Sequence, residues 1–154
     1  MYKEGYSHNV EHFYTNEMKY GSLIIDKKEY VYLKRILNIS GYAEDFQTKK
    51  SLQRLIDELK NAQIVDEIEM PTDVIRFNSR IMVYSESGWE KSIQLVIPQD
   101  KDVKQDKVSI LTPMGAALFG YSEGDTIEWD FPSGKQVIKI IAVVQDELQK
   151  KVEV

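Results

Sequence analysis

The chain has 154 residues, 42% of them hydrophobic and with a formal charge of −5, which suits one compact domain with one core. It has no cysteine, so disulfides, thiolate metal sites and cysteine nucleophiles are excluded. Its apolar runs are no longer than a strand, and its first residues lack a basic stretch followed by an apolar core. The expectation is a cytoplasmic protein with neither transmembrane helix nor secretory leader.

Residues 1–22 are polar and tyrosine-rich without a clear period, and they read as a flexible tail. Within them His8, Glu11 and His12 spell H-x-x-E-H, the pattern of inverted zinc metallopeptidases. On a helix the two histidines would share a face and bind zinc. The segment has no helical period, so the tail reading is preferred and no metal site is expected.

Asp26 opens a first helix, and Glu29, three positions on, completes a capping-box pattern. Tyr30, Leu33, Ile36 and Leu37 recur at helical spacing, and Ser40-Gly41 ends the element. A connector carrying Glu44 and Asp45 leads to a second helix over Thr48–Gln63, with an apolar stripe of Leu52, Leu55, Ile56, Leu59 and Ala62. Two such stripes on a short connector predict an antiparallel helical hairpin over 23–66.

The remainder, 67–146, is β-rich, and 147–154 is a tail. Strands are expected at Arg80–Tyr84, Lys91–Ile97, Val108–Leu111, Thr126–Phe131 and Val137–Val144. Ser85-Glu86-Ser87-Gly88 signals a hairpin turn, and the charged stretch Pro98–Lys107 an exposed loop. Pro113, with fixed φ and no N–H, suits the first turn of a short helix over Met114–Phe119. Thr112 is its N-cap and Gly120 its left-handed terminator. Trp129 alternates into the core and Trp89 is half exposed. The fold class is α+β.

Charge divides along the chain. From Leu23 to Ile64 there are eight basic and six acidic residues; from Val65 to Gln145, eight basic and thirteen acidic. An acidic β-rich part repels phosphates and suits a basic protein surface better than duplex nucleic acid, although the same surplus also serves solubility. Catalytic patterns are lacking. Gly115, Gly120 and Gly124 have neither the spacing nor the lysine of a Walker loop, and both histidines lie in the tail, away from any serine–acid pair. A non-enzyme without cofactor is expected.

The order TPMGAALFG, GDTIEW and PSGKQVIKI resembles the C-terminal domain of bacterial Gre-type (GreA/GreB) transcription elongation factors, and within that group the regulator of nucleoside diphosphate kinase (Rnk) family. MPTDVIRFNSRIMV, from Met70 to Val83, is similar to the same family's lead into its sheet. The resemblance spans roughly Leu23 to Gln145. It implies an FKBP-like antiparallel sheet wrapped on one short helix, after a helical hairpin shorter than that of the Gre factors. It also implies a partner, RNA polymerase, bound at the secondary-channel rim, with at most indirect contact with nucleic acid.

In the Gre factors the turn before the short helix docks on the polymerase, so the resemblance places contacts at Thr112, Pro113, Met114, Gly115 and Phe119. The structural alternative is that Pro113 only starts a helix while Met114 and Phe119 pack inward. Acidic residues at the longer Gre hairpin's tip help hold magnesium for RNA cleavage, which gives Glu44 and Asp45 a possible counterpart role. They equally complement a helix N-terminus. The short hairpin favours polymerase binding without cleavage. Two other readings are a transcript-cleavage factor using Glu44 and Asp45, and a stand-alone FKBP-like protein-binding module. Prolyl isomerase activity does not follow from an FKBP-like fold alone.

Overall fold

The computed structural model describes residues 18–39, 46–131 and 134–146. The elements are β1 (Ile24–Asp26), α1 (Lys27–Ile39), α2 (Phe46–Leu59), β2 (Gln63–Val65), β3 (Arg80–Ser85), β4 (Glu90–Val96), β5 (Lys107–Ser109), α3 (Pro113–Leu118), β6 (Thr126–Phe131) and β7 (Gly134–Val144).

Five strands form one sheet in the order β5-β4-β3-β7-β6. Ser85 to Gly88 makes the β3–β4 hairpin, where Gly88 takes φ of 100°. The sheet is mixed rather than antiparallel, because β5 runs parallel to β4. Parallel neighbours need a crossover, and the exposed stretch after β4 supplies it through two 3-10 turns, Pro98–Asp100 and Val103–Gln105. Between β3 and β7 the register shifts at Met82/Val83, so that Ile141 bulges out on β7 and stays 41% exposed.

A second, two-stranded parallel sheet pairs β1 with β2, which the sequence did not suggest. It shortens the second helix. Expected to reach Gln63, that helix ends at Leu59, since Gln63 now donates its N–H to the Leu23 carbonyl at 2.8 Å.

The strands alternate as the pleat requires: Ile81 and Val83 point inward while Arg80, Met82 and Tyr84 point out. On the inner face Leu33 and Leu37 of α1 and Leu52, Leu55 and Leu59 of α2 join one hydrophobic cluster with Ile81, Val83, Leu95, Ile138 and Ile140. Burying each such side chain stabilises the fold by about 1.5–3 kcal/mol. The expected border between a helical unit ending at 66 and a sheet domain beginning at 67 is therefore not a border in the core. Among the helices, α2 packs along α3, while α1 packs on the small β1–β2 sheet.

Polar contacts add to this packing. The Arg54 guanidinium donates to the Glu128 carbonyl on β6 at 2.8 Å, and the Tyr121 hydroxyl, just beyond α3, donates to Glu58 of α2. Asp26 caps α1 as expected, accepting the N–H groups of Lys28 and Glu29 at 3.1 Å each. Glu29 turns its carboxylate to Arg76, 3.3 Å away. Glu44, Asp45 and the H-x-x-E-H residues His8, Glu11 and His12 lie outside the described residues.

Candidate docking surface

The short helix α3 and the turn before it are built around Ser109. The Ser109 carbonyl accepts the Thr112 N–H at 3.0 Å and the Thr112 hydroxyl at 2.7 Å, while Ser109 Oγ accepts the Leu111 N–H at 3.0 Å. Thr112 Oγ1 then accepts the Gly115 N–H at 3.1 Å, the N-cap bond expected from the sequence. Pro113 occupies the first helical position, where no N–H is needed. These bonds tie Leu111, Thr112 and Gly115 to one another and to Ser109, so the turn has a defined shape without a partner.

The five residues singled out from the sequence separate into two groups. Thr112, Pro113 and Met114 are half-buried and hold the surface, and Met114 also rests against the core. Phe119 is buried at 1% exposure with its ring centroid 4.9 Å from that of Phe77, so it cannot touch a partner. Gly115 is buried as well, under the Ser109 carbonyl, and its role is to let α3 approach β5. The inward alternative, made for Met114 and Phe119, holds for Phe119 and in part for Met114; Gly115 is buried besides. Gly120 does close the helix with φ of 83°.

Residues that sequence reasoning passed over complete the surface. Ile110 donates its N–H to Val96, which sets the end of β5 beside the end of β4 and so beside Ile97 and Pro98. Gln99, in the turn that Pro98 starts, accepts the Tyr32 hydroxyl of α1 at 3.3 Å. Tyr32 in turn stands edge-on to Phe77, with centroids 5.7 Å apart. Tyr32 lies outside the stripe of Tyr30, Leu33, Ile36 and Leu37 that the periodicity picks out, and its long-range partner could not be read from local pattern.

On α1, Glu29 is a strongly perturbed acid. Burial raises its pKa to about 7, against the opposing pull of the Arg76 guanidinium. No set of three or more metal-ligating side chains gathers among the described residues. No helix among them is long and apolar enough to cross a membrane. Trp129 is core at 2% exposure, and Trp89 is half-buried with its indole N–H on Gln136 at 2.9 Å.

The turn is half-exposed and internally hydrogen-bonded, and Glu29 lies buried beside the Arg76 guanidinium. Residues 70–145 match the family model for the C-terminal part of the transcription elongation factors GreA/GreB. A solved prokaryotic transcription elongation factor GreA/GreB from Nitrosomonas europaea superposes with a TM-score of 0.64 at 31% identity, covering 80% of this chain and 99% of that one. The transcription elongation factor GreA proteins of Brucella canis and Brucella abortus are each 36% identical over 93 residues, 60% of this chain. The chain belongs to the GreA/GreB family of transcription elongation factors. The matched segment spans 59% of the length of these curated relatives.

Proposed function

We propose that this chain is a non-enzymatic regulator of transcription elongation, similar to the Rnk family, that docks on bacterial RNA polymerase at the rim of the secondary channel. The observation that carries the reading is the turn Thr112-Pro113-Met114, which is hydrogen-bonded within itself and partly exposed, and which the resemblance to Gre-type factors marks as the docking loop. A rigid proline beside an apolar side chain loses little entropy on binding and suits a partner helix.

The lack of cleavage activity is argued from reach. At 1.5 Å per residue, the 13 residues of α1 and the 14 of α2 span only about 20 Å each. Leu33 and Leu37 of α1 and Leu52, Leu55 and Leu59 of α2 are also buried in the core shared with the sheet, and Arg54 and Glu58 tie α2 to β6 and to Tyr121. In this reading the short helical end fills the channel mouth and keeps longer factors out, without lending carboxylates to the polymerase.

Binding of the purified chain to bacterial core polymerase tests the docking assignment. Aspartate is well tolerated in a helix's first turn, so Pro113→Asp should keep the fold yet weaken binding roughly tenfold or more. A folded Pro113→Asp protein that binds as tightly as the unmodified chain contradicts the assignment.

A further inference from the structure

Resting on that reading, we infer that the docking surface has a second, electrostatic half on α1, where Lys28 and Arg35 engage an acidic patch on the protein partner beside the apolar contact made at Pro113 and Met114. The helix fixes where these cations lie. Tyr32 reaches out of the buried face of α1 to Gln99, in the turn that follows β4. Positions four before and three after Tyr32 stack with it along the same side of the helix, and these are Lys28 and Arg35. Both are exposed, and neither forms an ion pair within the described residues. They flank the point where α1 meets the Pro98 turn, and the Pro98 turn adjoins the end of β5 that leads into Thr112 and Pro113.

The local charge is one-sided. On α1 the exposed positions include Lys27, Lys28, Lys34 and Arg35, and its single acid, Glu29, is buried on Arg76. The stretch Pro98–Lys107 is neutral, since Asp100, Asp102 and Asp106 balance Lys101, Lys104 and Lys107. The acidic surplus of the β-rich half has a separate centre. Asp73 and Glu123 meet at the Val74–Ser122 bridge, beyond the other end of α3, and the exposed Asp66, Glu67 and Glu69 precede that bridge in the chain. The docking end is therefore locally basic although the chain is acidic, and the expectation of a basic partner does not extend to it. A neighbouring proline and methionine fit a partner that is apolar as well as acidic, which a phosphate backbone is not.

Charges at the rim of an interface act chiefly on the association rate and its salt dependence. The test is binding kinetics of the full chain on immobilised core polymerase at low and high salt. The variants are Lys28→Glu/Arg35→Glu and Lys139→Glu, the latter removing one exposed cation on the far face of the sheet. The expected result is an association rate about tenfold lower for the double variant, with a flatter salt dependence, and a change below about twofold for Lys139→Glu. Circular dichroism should show the double variant folded, because both side chains are exposed. A folded double variant with unmodified kinetics at both salts overturns the inference and leaves polymerase docking intact. A logarithmic loss for Lys139→Glu about half that of the double variant overturns it too, because Lys139→Glu makes half the charge change and that proportion means that net charge alone governs the encounter. No binding by the unmodified chain at either salt overturns the polymerase reading and this inference with it.

Discussion

Gly115 lies so close to Ser109 that a Cβ built on it would meet the Ser109 carbonyl oxygen at 2.2 Å. That oxygen also accepts both Thr112 donors, so it cannot move aside without unmaking the docking turn. Gly115→Ala should cost about 1–3 kcal/mol by overpacking, read as a lower urea midpoint with unchanged slope. Unchanged stability would mean that α3 slides freely on β5.

Phe119 and Met114 should behave oppositely although both flank the turn. Phe119 is buried against Phe77, so Phe119→Ala should cost about 3–5 kcal/mol. Met114 is half-buried, so Met114→Ala should cost less stability and weaken polymerase binding more. Thermal denaturation paired with a binding titration separates the two effects; a stable Phe119→Ala protein with impaired binding would reverse the assignment.

These two side chains show where the sequence stops being informative. The cap at Thr112, the proline start, the left-handed Gly120 and the β3–β4 turn were all legible, because each is decided within about four residues. The direction in which Phe119 points was not, because a six-residue helix is too short for periodicity to define a buried face. The β1–β2 pair escaped for a similar reason: three-residue strands carry no alternation, and their pairing joins residues nearly forty positions apart. The parallel β4–β5 contact is a matter of chain path, not of composition. Glu29 fitted a capping box by spacing, yet Arg76, far away in sequence, took its carboxylate.

Glu29 also gives the fold a pH dependence. Its folded pKa is raised from 4.5 to about 7, chiefly by burial, so the native state holds a proton that the unfolded state has released. Its contribution is fully present below pH 4.5 and is lost as the pH rises through about 7. Between those limits the unmodified chain should lose stability relative to Glu29→Gln, which cannot titrate. Chemical denaturation of both proteins at several pH values checks this. A constant difference between them would show that Glu29 stays ionised throughout, held by Arg76.

The central claim is that this member of the GreA/GreB family binds polymerase without supporting RNA cleavage. Its most direct test uses backtracked elongation complexes of bacterial RNA polymerase with end-labelled RNA, treated with this chain alone and then together with a Gre factor. The account predicts no RNA shortening by the chain alone and suppression of the shortening driven by the Gre factor. Shortening by the chain alone would contradict it and make Glu44 and Asp45 the residues to examine.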